Sequence, residues 1–337
     1  MSGREFYAQD ASARASWRLA VLMGANSRTY KFALGQALLE FGRHGRGEVP
    51  LTELAASYSL GLVRHLARDP QAPQAAELGE KDFLTVAAQE SAATVDAGHP
   101  TDRLLAAAVR SMPTMVMQKF HNLRGETAVP HTFYELAGAG RQRVVRLTPD
   151  FLRLAQSEEA TNLVAELGAR WNIVESSFAA GVGRSLVEDG VTLDWGTLRL
   201  TDKRRRRSVT GIVEATIGFQ HGRCLICGDA LLQGDAIAVD HVFPFSLMHR
   251  FGSVGSWQGP DLDALWNLAP AHAACNGVKS DRLPTQAELA RLAARNEAIM
   301  HSPHPLRRTL QLSLQGALLG RNVSSWTEFL LAVGTAV

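Results

Sequence analysis

Cysteine is scarce in this sequence: the chain has three, Cys224, Cys227 and Cys275, and all lie between residues 224 and 275. An odd number in one short window does not make the disulfide framework of a small secreted domain. Unpaired thiols are typical of a reducing compartment, where they are available to bind a metal. We therefore expect a cytoplasmic protein in which the cysteines serve one local site.

Long apolar runs and an excess of charge of one sign are also missing. The longest apolar stretches, such as RLAVLM and FLLAV, are much shorter than the roughly 20 residues that span a bilayer. The opening residues, MSGREFYAQD, lack the apolar core of a signal peptide, and no membrane partner is expected. The net charge is only +2, from 35 basic and 33 acidic residues, so any nucleic-acid site needs a local concentration of charge.

What remains is an ordinary globular composition, 46% hydrophobic and 20% charged, in 337 residues, enough for two domains. Apolar residues recur at helical spacing through most of the first 200 residues, as in residues 28–45. Short runs of β-forming residues around Gly138 and Gly140 predict one hairpin there. Pro113 is expected to interrupt a helix, and a long helix over residues 150–181 is expected to break around residues 168–171.

One stretch concentrates positive charge: Lys203, Arg204, Arg205, Arg206 and Arg207 are consecutive. From residue 201 to residue 223, six basic residues stand against two acidic ones, an excess larger than that of the whole chain. A run of charge is commonly no more than a solvated helix end or linker. Its place just before the first cysteine pair favours the alternative, an arm that contacts the phosphate backbone of a nucleic acid.

Four residues have the spacing of zinc ligands. Cys224 and Cys227 form a C-x-x-C pair, and His272 and Cys275 form an H-x-x-C pair further along the chain. Tetrahedral zinc commonly takes two such pairs from separate segments. The plainer interpretation is two or three small buried cysteines and a surface histidine. We favour a structural zinc site, because the two pairs use every cysteine of the chain and leave no open position for a substrate.

The residues from 271 onward have a helical pattern, AHAACNGVKSDRL. Four of its side chains fall on one face: His272, Cys275, Asn276 and Lys279. The strand AIAVDH would end with Asp240 and His241 near that face. Carboxylate and amide oxygens suit Mg²⁺, and a neutral histidine beside them can take a proton from water. A carboxylate, an amide, a base and a lysine at one place is what phosphodiester hydrolysis needs.

Residues 224–284 resemble an HNH endonuclease of the ββα-metal superfamily. The sequence segments that match the family are CLIC, VDHVFPFS and WNLAPAHAACNGVKSDRLP, in that order along the chain. His241 takes the first position of the motif, Asn267 the middle one and Asn276 the last, which makes this an HNN variant. The resemblance covers a small share of the chain, but its motifs are dense and ordered.

The resemblance implies a hairpin and a helix that a structural zinc ion holds together. Between them they would bind one further divalent ion, Mg²⁺ or Mn²⁺. Asp240 and Asn276 would bind this ion, and His241 would be the general base. Asn267 would fix the loop that orients the histidine, and Lys279 would contact phosphate. Asparagine at the last motif position, in place of histidine, weakens that ligand and shifts the metal preference toward Mg²⁺ or Mn²⁺. By the family rule, the products carry 5′-phosphate and 3′-hydroxyl ends.

The expected function is therefore metal-dependent hydrolysis of DNA, and association with the family suggests restriction or phage defence as the setting. RNA stays open as a substrate, because hydrolysis of either backbone uses the same metal and base. The second class of function is a zinc-stabilised module that binds nucleic acid without chemistry. His241 and Asn276 favour the enzyme, since a pure binder needs neither a base nor a metal ligand at those positions.

The predicted fold is α+β and mainly helical, in three parts. Residues 1–200 form a helical domain for targeting, dimerisation or control, through a protein partner or a homodimer. Residues 201–284 hold the basic arm and the nuclease module, and residues 285–337 are helices that pack on the core. The basic residues Lys31 and His121 in the N-terminal part are interpreted as surface or loop residues, and the alternative is a ligand site.

Overall fold

The computed structural model describes residues 10–24, 28–73, 78–123, 128–179, 191–194, 199–202, 208–209, 212–247, 259–302, 306–315 and 323–336. The chain divides into two compact units. The N-terminal unit is Tyr7–Arg184, and the C-terminal unit is Ser185–Val337 together with Met1–Phe6.

The N-terminal unit is mostly helical. Its α-helices are α1 (Ala13–Arg18), α2 (Tyr30–Arg43), α3 (Leu51–Leu66), α4 (Phe83–Gln89), α5 (Ser91–Ala97), α6 (Asp102–Met115), α7 (Pro149–Ala155) and α8 (Ala160–Ala179), and a π-helical segment, Leu19–Met23, continues α1. Side chains of Asp82, Thr101 and Thr148 accept hydrogen bonds from the first-turn N–H groups of α4, α6 and α7. Such caps satisfy donors that a helix start leaves unpaired, so local sequence sets where these helices begin.

Aromatic rings form the centre of the N-terminal unit. The ring of Trp17, which is 1% exposed, lies 5.7 Å from that of Phe120, 5.3 Å from that of Phe133 and 5.4 Å from that of Phe151. Full burial of one such side chain stabilises the fold by about 1.5–3 kcal/mol. The cluster joins α1 and α7 to the segment between α6 and the small sheet.

That sheet contains β1 (Glu48–Pro50), β2 (Tyr134–Ala137) and β3 (Val144–Leu147), in the order β1–β3–β2 with antiparallel pairing. The hairpin predicted around Gly138 and Gly140 is confirmed as β2–β3. Gly138 has a φ of 75°, and a Cβ there would lie 2.6 Å from the carbonyl oxygen of Gln142. Only glycine fits this turn without strain.

Two helix predictions are wrong. Helix α6 continues through Pro113 to Met115, because the proline falls in the last turn, where its missing N–H removes one hydrogen bond and little helix remains. Helix α8 is continuous over residues 168–171. One glycine, Gly168, weakens a helix by only about 1 kcal/mol, and its neighbours Leu167 and Trp171 are buried. The break in this region lies instead at residues 156–159.

The C-terminal unit combines short strands with helices. Its strands are β4 (Val191–Asp194), β5 (Arg199–Asp202), β6 (Ser208–Val209), β7 (Ile237–His241) and β8 (Leu268–His272). Its α-helices are α9 (Ile212–Ile217), α10 (Ala273–Lys279), α11 (Gln286–Met300), α12 (Leu306–Gln315) and α13 (Trp326–Ala336). Strands β4, β5 and β6 form one antiparallel sheet, and β7 and β8 form another.

Trp266 lies at the centre of this unit. Its ring is 6.1 Å from that of Phe243, 6.4 Å from that of Trp326 and 5.0 Å from that of Phe329. Phe243 follows β7, Trp266 precedes β8, and the other two lie on α13, so the C-terminal helix shares a core with the β7–β8 hairpin.

The predicted fold class is confirmed, since helices predominate and the strands of the described residues form small sheets. Across these same residues, none of the helices combines the length and apolar composition needed to cross a lipid bilayer. The β7–β8 hairpin and α10 hold most of the residues that the sequence singles out.

Candidate functional site

The β7–β8 hairpin has two chemically different ends. The strands pair antiparallel, with Ile237 opposite His272 and His241 opposite Leu268. At a rise of about 3.3 Å per residue, the two histidines are roughly 13 Å apart along the ladder. Helix α10 follows β8 directly and returns along the hairpin, so that Lys279 at its end reaches the last residues of β7. We name the two ends the cysteine end and the His241 end.

The cysteine end gathers four side chains that could hold a metal ion. The ligand atoms of this Cys₃His cluster lie within 4.8 Å of one another: Cys224, Cys227, His272 and Cys275. Nδ1 of His272 is 3.5 Å from Sγ of Cys227 and 3.8 Å from Sγ of Cys275. Bond lengths of about 2.3 Å to sulfur and 2.0 Å to nitrogen at a tetrahedral angle place such ligands about 3.6 Å apart. The separations therefore suit zinc.

The backbone around the first cysteine pair favours a thiolate. Burial would raise the pKa of the Cys224 thiol, but the N–H groups of Cys227, His272 and Ile226 outweigh it and hold the pKa below its usual value. The thiolate is the form that binds metals. A tight turn closes the pair, because the N–H of Gly228, at a φ of 85°, donates to the carbonyl oxygen of Cys224.

The second ring nitrogen of His272 faces oxygen. Its Nε2 is 3.2 Å from the carbonyl oxygen of Ala230 and 3.3 Å from Oδ2 of Asp235. A carbonyl oxygen can only accept, so Nε2 carries the hydrogen and the lone pair of the neutral ring lies on Nδ1, toward the sulfur atoms. Histidines that bind metals commonly have such a partner on the other nitrogen.

The His241 end contains a buried carboxylate. Asp240 is 3% exposed, and its Oδ1 accepts a hydrogen bond from Nζ of Lys279 at 3.0 Å. Its Oδ2 is also buried, and among the described residues no group makes a hydrogen bond with it. Burial raises the pKa of Asp240 above its usual value, and the ammonium of Lys279 offsets only part of this. A buried carboxylate oxygen without a donor is costly, and a hard cation is one group that would satisfy it.

His241 is half-buried beside this carboxylate. Its Nε2 is 2.9 Å from Oδ1 of Asp263, and its ring centroid is 5.5 Å from that of the exposed Phe245. Asp263 is a residue that the sequence analysis missed. It lies in the segment that connects β7 to β8, 22 residues after His241, and no motif has a fixed spacing between the two residues. The sequence feature that could have pointed to Asp263 is that it is acidic, in the run DLDALWN.

Asn267 joins the segment after β7 to the segment before β8. Its side chain is fully buried, and its Oδ1 accepts from the N–H of Phe243 at 2.8 Å. Its Nδ2 donates to the carbonyl oxygens of Phe243 and Leu262, each at 2.8 Å. These contacts are of the kind expected for the residue that fixes the loop after His241, and its part in catalysis stays a prediction.

Two arginines of α11, also missed, support both ends of the hairpin. Arg291 donates to carbonyl oxygens between the first two cysteines, at 2.6 and 2.5 Å. Arg295, 1% exposed, donates to the carbonyl oxygens of Leu265, Trp266 and Leu268. Burial lowers the pKa of Arg295 to about 9. Both arginines lie beyond residue 284, outside the segment that resembles an HNH endonuclease.

Lys279 does not lie where a phosphate contact needs it. Its side chain is 0% exposed, and Nζ donates to Oδ1 of Asp240 and to the carbonyl oxygen of His241, each at 3.0 Å. The prediction is corrected: the lysine supplies the counter-charge that the buried carboxylate needs. Asn276 is half-buried on α10, and within the described residues no hydrogen bond joins its side chain to Asp240. Its role as a metal ligand stays a prediction.

The predicted basic arm, residues 203–207, lies outside the described residues. The strands on either side of it are described, and they pair antiparallel with Thr201 opposite Ser208. Contact of this arm with nucleic acid therefore stays a prediction.

Lys31 of the N-terminal unit is not the surface or loop residue that the sequence indicates, since it is buried on α2, whereas His121 is half-buried in a turn. Nζ of Lys31 is buried, 3.4 Å from the carbonyl oxygen of Ala20, 3.3 Å from that of Asn122 and 5.7 Å from the ring centroid of Phe120. Burial lowers the pKa of Lys31 to about 8. Burial, and then the nearby Lys31, lower the pKa of His121 to about 4. Both side chains make contacts within the core.

Comparison with known proteins identifies no relative. No model of a protein family matches the chain, and neither does any curated protein or solved structure.

Proposed function

We propose that this chain is a metal-dependent endonuclease of the HNH type that hydrolyses phosphodiester bonds of DNA. One juxtaposition carries the proposal: Asp240, whose buried Oδ2 has no hydrogen-bond partner in the described part of the chain, precedes His241 at one end of a hairpin whose other end gathers the Cys₃His cluster. A module that only binds nucleic acid needs neither the buried acid nor an oriented histidine at that place.

The Cys₃His cluster fits a structural zinc ion. Its three sulfur atoms and one nitrogen fill a tetrahedral shell and leave no position for a substrate. The His241 end of the hairpin packs on α13, whereas the cysteine end has only a small apolar cluster made of Ile217, Cys224, Leu231 and Ala271, too small to be stable by hydrophobic burial alone. Zinc in this account holds the hairpin and α10 together, and its binding free energy is part of the folding free energy.

The fit to a second, catalytic ion rests on Oδ2 of Asp240. This oxygen is buried and lacks a donor, and carboxylate oxygen is the ligand type that Mg²⁺ and Mn²⁺ prefer. Asp240 would hold the ion with Asn276 of α10 as a second ligand. Such an ion, when bound, neutralises charge that develops on the phosphate. Lys279 would favour the ionised form of Asp240 and fix the direction of its carboxylate.

His241 would be the general base. A water molecule gives a proton to the imidazole while its oxygen bonds to phosphorus. The bond from phosphorus to O3′ breaks, and O3′ takes a proton from solvent. The products then carry 5′-phosphate and 3′-hydroxyl ends. Asn267 would hold the loop that follows the base, and Lys203 to Arg207 would add phosphate contacts outside the hairpin.

The test is cleavage of supercoiled plasmid by protein loaded with one zinc ion per chain. Because EDTA would also remove zinc, the metal-free arm is dialysed protein without a further divalent ion, and the other arms add Mg²⁺ or Mn²⁺. Matched reactions contain single-stranded RNA in place of plasmid. His241→Ala is the variant without the base, and His301→Ala, an exposed histidine just after α11, is its control.

We expect nicked or linear plasmid only with the added ion, loss of cutting in His241→Ala and normal cutting in His301→Ala. If the protein cuts RNA but not plasmid, the proposed substrate is wrong and the proposed hydrolysis by metal ion and base stands. Plasmid that is bound but uncut with every ion would contradict the proposal and favour the binding module.

A further inference from the structure

We infer that Asp263 fixes the tautomer of His241 and so selects Nδ1 as the nitrogen that takes the proton. The inference deepens the proposed function and rests on it. Asp263 is in this view a positioning residue: it contacts the base, and neither the substrate nor a metal ion.

The contact itself determines the direction of the hydrogen bond. Oδ1 of Asp263 lies 2.9 Å from Nε2 of His241. An ionised carboxylate only accepts, so the hydrogen of the pair belongs to Nε2. In a neutral imidazole the lone pair then lies on Nδ1. A water molecule that is to lose its proton to His241 must approach that nitrogen.

Asp263 is held by the same residue that holds the loop after His241. Its own N–H donates to Oδ1 of Asp261 at 2.9 Å, which closes a short turn. The amide of Asn267 donates to the carbonyl oxygen of the intervening Leu262 at 2.8 Å. The other side-chain hydrogen bonds of Asn267 are with the backbone of Phe243, two residues beyond His241. One buried amide therefore fixes the base and its partner relative to each other.

His272 provides an independent example of this arrangement in the same hairpin. Its Nε2 faces the oxygen atoms of Ala230 and Asp235, and its Nδ1 faces the sulfur atoms of the cluster. In both histidines Nε2 thus faces an oxygen acceptor, so that the lone pair of the neutral ring lies on Nδ1. Orientation by such a partner is a general device for histidines at functional sites.

The alternative is that the pair is only a surface ion pair. The side chains of His241 and Asp263 are 24% and 34% exposed, and pairs at such exposure contribute little to the free energy of unfolding. Asp263→Asn is therefore expected to fold like the parent. The two interpretations differ in the tautomer and in the rate, and not in stability.

The first experiment measures the tautomer in zinc-loaded protein without substrate. Proton–nitrogen correlation spectra of protein with ¹⁵N-labelled histidine distinguish Nε2–H from Nδ1–H rings, and His241→Ala assigns the signals. We expect Nε2–H for His241 in the parent. In Asp263→Asn we expect Nδ1–H to be populated, because the new amide can donate to Nε2. Glu328→Gln, which removes an exposed carboxylate from α13, is the control and should match the parent.

The second experiment measures plasmid cleavage by the same proteins with Mg²⁺. Loss of an orienting partner of a metal-bound histidine commonly reduces activity about 10- to 100-fold, and we expect a fall of that order in kcat for Asp263→Asn. KM should change by less than about twofold, because Asp263 does not contact the substrate. Asp263→Glu, which keeps the acceptor, should recover part of the rate.

Two results would overturn the inference and leave the proposed function intact, provided that the parent cuts and His241→Ala does not. The first is an Nδ1–H ring for His241 in the parent. The second is an Asp263→Asn protein in which either the tautomer or kcat is unchanged. A parent protein that never cuts would overturn the proposed function and the positioning role with it. The spectra and the cleavage assay thereby separate the two failures.

Discussion

His272 and His241 lie at opposite ends of one hairpin, and their surroundings differ in the way that their proposed roles require. Nδ1 of His272 faces sulfur, and its ligand atom and those of the three cysteines lie within 4.8 Å of one another. His241 is half-buried and follows Asp240, whose Oδ2 has no hydrogen-bond partner within the ranges that the structure describes. In the proposed function, zinc closes the first end, whereas the second end offers a carboxylate oxygen to a metal ion and an imidazole to water. The two histidines would then serve folding and chemistry separately.

The largest expected effect is at the cysteine end. Cys275→Ser should abolish zinc binding and unfold the hairpin and α10, because zinc in small modules contributes about 10–16 kcal/mol of binding free energy. Bound metal measured by mass spectrometry, together with thermal unfolding by circular dichroism, tests this. Val278→Ser, at an 88% exposed position of the same helix, is the control and should keep both zinc and stability. A stable Cys275→Ser protein would mean that the cluster is not structural.

A smaller loss of stability is expected where Asn267 joins the two segments. Asn267→Ala leaves three buried backbone groups without their partner, and one such group costs about 1–3 kcal/mol. We expect the free energy of unfolding in urea to fall by about 3 kcal/mol or more, and cleavage to fall with it. Gln286→Ala, which removes an exposed amide from the first turn of α11, is the control and should change neither. A stable but inactive Asn267→Ala would indicate a direct catalytic role instead.

The cysteine cluster and the residues around His241 differ in how far the sequence predicts them. The Cys₃His cluster is predictable because zinc demands four ligands in short pairs, and such pairs are visible as spacing. Asp263 and Arg295 are not, because each contacts a segment more than 20 residues away through a bond that fixes no spacing. Helical spacing predicts the face of α10 on which Lys279 lies, but its burial depends on where Asp240 lies. Local pattern identifies elements, and packing between elements decides what each side chain contacts.

The helices give the same lesson. Proline and glycine have low helix propensity, yet α6 continues through Pro113 and α8 through Gly168. Pro113 falls in the last turn of its helix, where one lost hydrogen bond matters little, and Gly168 is outweighed by the buried Leu167 and Trp171.

The smallest expected effect concerns binding, outside both ends of the hairpin. Replacing Arg204 to Arg207 with alanine should weaken DNA binding and leave stability and bound zinc unchanged. If all four contact phosphate, the slope of log affinity against log salt concentration should flatten by roughly 3 to 4. Fluorescence anisotropy with a labelled duplex at several salt concentrations measures this slope. An unchanged slope would remove the arm from the nucleic-acid interface.

The most direct test of the division between the two ends is a paired measurement on His272→Ala and His241→Ala. Bound zinc and the rate of plasmid cleavage with Mg²⁺ are measured on the same preparations. We predict that His272→Ala loses zinc and activity together, whereas His241→Ala keeps one zinc ion per chain and cuts roughly 10²- to 10⁴-fold more slowly, the usual contribution of a general base. A His241→Ala protein that cuts as fast as the parent, or that loses its zinc, would contradict the account.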